Sequence, residues 1–396
     1  MSRLQTPGTP AMVSPIEDGF SDSDVGDMTE LYAGQLMPDF QAHTLKNTHR
    51  AFATRVIRRG GPVKSLPYAP KQIEDFPIHA NDQVYDLYDY VSRNRVAGLL
   101  IMKNGEIVHE RYELGNAPSE HWVSMSMAKS VATTLVGCAI RDGYIKSVEE
   151  PLTAYLPQLI GSAYDGVSIR QLMQMTSGVK WDDTQVNADS ERRQMLALQV
   201  AQKPGEIMRF MASLPRVAEP GTLWNYSTGE THVVGALVKA ATGKWLSDYL
   251  SERIWSRLGM EADAYWWLES PGGLEVAGSG LCAPLRDYAR FGRFIMNGGV
   301  IDGESILPEG WMAEAGVSRM VSGERLDYGY MWWTVPDRNG SLADGAYAAR
   351  GIFGQYMYLN PAQDVLIAVL SSRAKPRGAE AILDNDFFNS TVEALR

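Results

Sequence analysis

Ser126 and Lys129 are residues whose types and spacing can do chemistry. They lie in residues 121–143, HWVSMSMAKSVATTLVGCAIRDG, where apolar side chains recur at Val131, Leu135, Cys138 and Ala139. That spacing predicts a helix with one buried face, and Gly143 is a fitting stop. A helix starting near Ser126 puts Ser126 and Lys129 at i and i+3, stacked on one face. The helix start offers unpaired N–H groups and a partial positive charge. A neutral amine one turn further on can take the serine hydroxyl proton and so create a nucleophile. The competing reading is a serine N-cap followed by a solvated lysine.

Ser-x-x-Lys is a short pattern, and the chain carries it three times. Ser177, paired with Lys180, enters a Thr-Ser-Gly turn with no amphipathic helix behind it. Ser372, paired with Lys375, ends a β-rich run and leads into a Lys-Pro-Arg-Gly loop. Only Ser126 opens a strong helical pattern. A serine–lysine site needs a second group that moves protons near neutrality. Tyr226, delivered after a Pro-Gly turn in residues 219–228 (EPGTLWNYST), can do so if nearby cations lower its ordinary pKa of about 10. Its competing reading is a core tyrosine. Other catalytic frameworks are missing. Around Ser279 the elbow glycines are replaced by Ala277 and Leu281. The sequence holds no His-Glu-x-x-His, no Walker loop and no Gly-x-Gly-x-x-Gly after a strand, and its six histidines do not cluster at metal spacing. Gly-Ser-Gly at 278–280 reads as a turn. No cofactor and no metal are expected.

The elements that must position these residues follow from the rest of the pattern. Residues 1–80, rich in Gly, Pro and charge, predict an extended arm or wrap with little regular structure. Residues 83–94 have helical spacing. Residues 96–102 and 107–112 flank Asn104-Gly105, a strong hairpin signal. From 144 to about 270 helical segments dominate, at 169–175, 190–202, 204–214, 231–241 and 246–258. The helical pattern continues from about Leu281 through residues 287–298. β-character returns at 328–334, 356–360 and 365–371, before a terminal helix over 379–395. The expected fold class is α+β: one antiparallel sheet built from both chain ends, flanking helices, and an inserted helical lobe. The expected domains are a 1–80 arm, a discontinuous sheet domain of 81–145 and 271–396, and a helical domain of 146–270. The active site is expected in a cleft between lobes.

A net charge of −10 argues against a nucleic-acid groove, which needs a basic stripe. Cys138 and Cys282 form no disulfide framework. The N-terminal residues lack an apolar signal-peptide core, and no apolar run approaches the ~20 residues that span a bilayer. A soluble cytoplasmic protein, without membrane or nucleic-acid partners, is expected. The oligomeric state stays open, a dimer included.

Ser-Met-Ala-Lys at 126–129, Pro-Gly-x-x-x-x-Tyr-Ser at 220–227 and the Gly-rich strand entry at 349–354 resemble the serine β-lactamase and penicillin-binding-protein family. The likeness is to its class C-like branch, especially family VIII carboxylesterases and 6-aminohexanoate-dimer hydrolases. Residues 169–178 (IRQLMQMTSG), 286–299 (RDYARFGRFIMNGG) and 354–361 (GQYMYLNP) extend it over roughly residues 80–390. The resemblance implies that Ser126 is acylated, Lys129 is its base, and Tyr226 assists proton transfer to the leaving group. It places the oxyanion between the backbone N–H groups of Ser126 and Ile352, beside Gly351, with a one-residue shift to Phe353 left open. Two family features are replaced. Tyr-x-Asn has become Tyr226-Ser227-Thr228, and Arg350 stands where Lys-Thr-Gly would supply a cation. Arg350 serves only if it points inward, which strand alternation leaves open.

These changes fit a neutral ester or amide better than a β-lactam. Trp224, Trp332 and Trp333 are candidates for an acyl pocket or for core filling. Alternation sends one of Trp332 and Trp333 to the cleft side and the other to the opposite face. Three functions compete: an esterase for short acyl esters, an amidase for linear amides, and a silent binding protein on the same fold.

Overall fold

The Asn104-Gly105 signal forms a two-residue hairpin turn, with φ of 53° and 82°, the backbone that an Asn-Gly type I′ turn requires. It joins strands Val96–Lys103 and Glu106–Tyr112. On the far side of Val96–Lys103 the late strand Val365–Ser371 pairs antiparallel, Val365 opposite Lys103. Strands Gln355–Asn360, Tyr347–Gly351 and Trp333–Thr334 follow in order. The sheet is therefore built from both ends of the chain, and the fold is α+β. The computed structural model describes Met12–Val13 and residues 24–396. Met12–Val13 adds a short parallel edge strand beside Arg111 and Tyr112.

Helix Met127–Arg141 is buried from Met127 to Ala139. Its small and apolar residues run all round, the composition of a central helix rather than a surface one. It packs against helix Thr228–Thr242 and the end of strand Tyr347–Gly351. The expected helical block contains helices Ile169–Met173, Glu191–Val200, Glu206–Ser213, Thr228–Thr242 and Leu246–Arg253. Serine caps start three of them. Ser168 forms a capping box with Gln171, Ser190 accepts from the Arg193 N–H, and Ser227 accepts from the Glu230 N–H. The Ser227 cap leaves Tyr226 just outside its helix and Thr228 just inside.

Three expectations are corrected. Residues 24–80 are not merely extended: they contain helices Met28–Ala33 and Pro38–Asn47 and strand Thr54–Ile57. Asp27 caps the first helix, and Met28, Leu31 and Tyr32 bury one short face. The arm before residue 24, Met12–Val13 apart, lies outside the described residues. Residues 264–267, inside the block expected to be helical, form strand Ala264–Trp267. Bulky Tyr265, Trp266 and Trp267 favour a pleated surface, and the strand joins Thr54–Ile57, Leu281–Ala283 and Trp122–Val123 in a second, four-stranded sheet. Leu281–Ala283 thus precedes, rather than continues, the Leu285–Met296 helix. Finally, of residues 328–334 only Trp333–Thr334 is strand. The chain folds back there, with Met331 at a left-handed φ of 59° and Tyr328 bridged to Trp333.

Candidate active site

Only one of the three Ser-x-x-Lys serines meets its lysine. The Ser177 hydroxyl donates to Glu230 Oε1, while Lys180 is paired with Glu191 at 2.6 Å. Ser372 is buried, and Lys375 donates to the Gly34 carbonyl at 2.7 Å. Lys129 Nζ lies 2.9 Å from Ser126 Oγ. Ser126 holds the cap position of its helix, yet its side chain makes no capping hydrogen bond. The hydroxyl is thus left for the lysine, against the capping alternative. Met125 before it takes a left-handed φ of 46°, the kind of strained backbone found at functional turns.

Lys129 is 1 % exposed. Its amine is within reach of Ser126 Oγ, of Thr228 Oγ1 at 3.0 Å and of the Gly278 carbonyl at 2.8 Å. Burial lowers its pKa to about 7. The Asp183 carboxylate opposes the shift, and the Arg192 and Arg377 charges reinforce it. A neutral amine has two N–H groups and one lone pair. The Gly278 carbonyl can only accept, and Thr228 Oγ1 can accept, so the lone pair falls to the Ser126 hydroxyl. The arrangement can deprotonate serine at neutral pH. Gly278 makes the approach possible, because a Cβ there would lie 2.8 Å from Thr228 Cγ2 and 2.9 Å from its carbonyl.

Tyr226 lies beside this pair, its ring centroid 5.1 Å from Lys129 Nζ. The expected lowering of its pKa does not occur. Burial and the Asp183 charge raise it, outweighing the hydrogen bond with Ser126 and the Arg377 and Arg192 charges. The phenol therefore keeps its proton at neutral pH and can donate it. Trp333 stacks on Tyr226 at 5.8 Å between centroids, and Trp224 meets both edge-on. These rings wall a cleft of about 300 Å³ that opens on Ser126. Trp332 points the other way, fully buried against Tyr347.

The Tyr347–Gly351 strand ends against the backbone of Ser126. A Cβ on Gly351 would lie 2.6 Å from the Ser124 carbonyl and 3.0 Å from the Ser126 nitrogen, so this close approach requires glycine. Phe353 is buried at a left-handed φ of 64°, and its N–H donates to the Pro376 carbonyl at 3.1 Å. The Ile352 N–H meets no backbone acceptor among the described residues. Arg350 does line the cleft, and it donates to Asn385 Oδ1 at 2.6 Å.

Several residues around the centre carry no sequence signal of their own. Asp183 accepts from the Thr228 N–H and Trp181 Nε1, and pairs with Arg377 at 3.2 Å. Arg377, in turn, lies over the Tyr226 ring. Arg192 and Tyr32 come from a helix and from the arm, and meet behind Ser126. Gly278 belongs to the Gly-Ser-Gly turn. Among these, only the paired Asp182-Asp183 after a tryptophan is a weak hint.

The Beta-lactamase family model matches residues 89–387. The chain belongs to this family. Its fold is therefore the serine β-lactamase and penicillin-binding-protein fold, and the chain is a serine hydrolase of that family. The 6-aminohexanoate-dimer hydrolase of Paenarthrobacter ureafaciens is 28% identical over 306 residues, 74% of this chain and 76% of that one. A Bacillus anthracis structure provisionally named a 6-aminohexanoate-dimer hydrolase superposes with a TM-score of 0.80 at 23% identity, over 97% of this chain and 98% of that one. A family VIII carboxylesterase superposes with a TM-score of 0.58 at 18% identity, over 76% and 92% of the two chains. Among the described residues no helix is long and apolar enough to cross a membrane.

Proposed function

We propose that the protein hydrolyses small carboxylic esters through an acyl-enzyme on Ser126. The observation that carries this reading is the buried Lys129 amine, within hydrogen-bond distance of Ser126 Oγ, Thr228 Oγ1 and the Gly278 carbonyl. Lys129 takes the hydroxyl proton as Ser126 Oγ attacks the ester carbonyl. The oxyanion forms between the N–H groups of Ser126 and Ile352, each such donor contributing about 3 kcal/mol in comparable sites. Ile352 is preferred over Phe353 because the Phe353 N–H is engaged by Pro376. Tyr226 donates its proton to the leaving alcohol and recovers one from Lys129. Water then attacks the acyl group, with the same pair acting as base. Trp224 and Trp333 are assigned to the apolar wall for the substrate, and Thr228 to orientation of the amine. Arg350, Gly351 and Phe353 are assigned to the strand side of the pocket.

A second reading, hydrolysis of linear amides, is favoured by the name of the Paenarthrobacter relative. β-Lactam turnover is expected to be weak, since Lys-Thr-Gly is missing and Arg350 is bonded to Asn385. Parallel assays on p-nitrophenyl butyrate, a 6-aminohexanoate dimer and nitrocefin rank the readings. The ester should be turned over fastest; a silent preparation on all three overturns the proposal. Thr228→Val removes one acceptor that orients the amine. It should lower kcat/KM for the ester by about fivefold, the worth of one hydrogen bond of about 1 kcal/mol in a reacting array. An unchanged rate would show that Thr228 does not orient Lys129. Gly351→Val should cost about tenfold or more in kcat, because the added atoms displace the strand from the Ser126 nitrogen. Steady-state kinetics on the folded variant check this.

A further inference from the structure

Asp183 lies in the loop between helices Ile169–Met173 and Glu191–Val200, and its side chain is only 8 % exposed. Both carboxylate oxygens are engaged. Oδ1 accepts from Trp181 Nε1 at 2.9 Å and from the Thr228 N–H at 3.0 Å. Oδ2 accepts from Gln185 Nε2 and from the Arg377 guanidinium, each at 3.2 Å. Asp183 is absent from the lining of the aromatic cleft, so it stands behind the reacting groups.

Two of these donors lead to the groups that move protons. Thr228 is the first residue of helix Thr228–Thr242. Its N–H is one of the orphan donors of a helix start, and a carboxylate there also meets the positive end of the helix dipole. The Oγ1 of the same residue lies 3.0 Å from Lys129 Nζ. Asp183 therefore reaches the amine through one intervening residue. Arg377 comes from the segment after the last strand, and its Cζ is 5.7 Å from the Tyr226 ring centroid. Its side chain is 60 % exposed, and an ion pair so open to water adds little to stability. What the pair fixes is the place of the guanidinium over the phenol ring.

The two charges also oppose one another at both groups. Lys129 is faced by Asp183, Arg192 and Arg377, and by the Tyr226 ring. Asp183 favours the protonated amine, and both arginines disfavour it. At Tyr226, Asp183 favours the protonated phenol, and Arg377 and Arg192 favour loss of its proton.

We propose that Asp183 is a positioning residue for the hydrolytic centre: its carboxylate fixes Thr228 at the helix start and Arg377 over Tyr226, and so keeps both proton-moving groups aligned on Ser126. This rests on Ser126 being the acylated residue and Lys129 its base.

The test is the pH profile of p-nitrophenyl butyrate hydrolysis by three variants of the full chain. Asp183→Asn keeps the size and an acceptor for Thr228 but removes the charge. Its kcat should fall by about tenfold with KM nearly unchanged, because alignment is lost and no substrate contact is. The acid limb of kcat/KM, near pH 7 in the wild type, should move to lower pH by about half a unit or more, since the protonated amine loses a favourable charge. Arg377→Gln should move the limb the opposite way, to higher pH. Asp183→Glu keeps the charge, and its limb should stay near the wild-type position. Opposite movements separate this role from simple loosening of the fold, which would lower rates without moving the limb in a charge-dependent direction. An Asp183→Asn limb that stays in place or moves to higher pH, or an unchanged kcat, overturns the proposal. If Asp183→Asn does not fold, Arg377→Gln decides, and a limb that it leaves in place overturns the proposal equally. A wild-type profile with no limb near pH 7 sinks the Lys129 reading and this proposal with it, whereas a wild-type limb that no substitution moves sinks the role of Asp183 alone.

Discussion

Lys129→Met is expected to lower kcat/KM toward p-nitrophenyl butyrate by about a thousandfold or more, the range for loss of a positioned base that acts as a unit with its nucleophile. Methionine keeps the length and apolar stem of lysine, so the buried site stays filled. What disappears is the lone pair facing Ser126. The wild-type pH profile should carry the same signature. The amine's folded pKa is brought down to about 7 by burial. Below that pH it gains a proton and loses its lone pair, so kcat/KM should fall by about tenfold per unit on the acid side and level off above. The residual activity of Lys129→Met should lack this limb. A limb that persists in the variant would assign the titration to another group.

Glu230→Gln is expected to stabilise the protein at alkaline pH. Glu230 is buried, and its Oε2 has no partner. Burial raises its pKa to about 8, and the Ser177 hydrogen bond opposes this only in part. The folded state therefore holds a proton that the unfolded chain releases near the ordinary glutamate value. The sign follows from linkage: the raised group's contribution is fully present below the unfolded pKa of about 4.5 and is lost as pH rises through about 8. Over that window wild-type stability should fall by a few kcal/mol from this group alone. Glutamine keeps an acceptor for Ser177 and does not titrate. Thermal unfolding should show the variant several degrees more stable than wild type near pH 8.5 and close to wild type near pH 5. Equal shifts at both pH values would contradict the assignment.

The central pair was legible because its signals were local. The apolar spacing after Ser126 marks the helix, and the Asn-Gly turn marks the hairpin. The Pro-Gly turn before Tyr226 needed the family resemblance to give the tyrosine a role. The helical block was also readable, since serine caps and periodic apolar faces coincide there. What could not be read depends on contacts distant in sequence. Asp183 reaches the centre through a loop, and Arg377 reaches it across 194 residues. Nothing in the helix pattern separates buried Arg192 from Arg193 beside it. The pKa direction of Tyr226 is equally non-local: cations do surround it, but burial outweighs them. Strand Ala264–Trp267 was obscured because its partners, Thr54–Ile57 and Leu281–Ala283, lie in separate parts of the chain.

The most direct test of the account is covalent labelling. A fluorophosphonate probe should add to the native protein with one-to-one stoichiometry, and peptide mass spectrometry should place it on Ser126. Labelling should weaken as pH falls below about 7, with protonation of Lys129, and should be absent in Ser126→Ala. A label on Ser177, Ser372 or any other residue, or full labelling of Ser126→Ala, would contradict the assignment of Ser126 as the nucleophile.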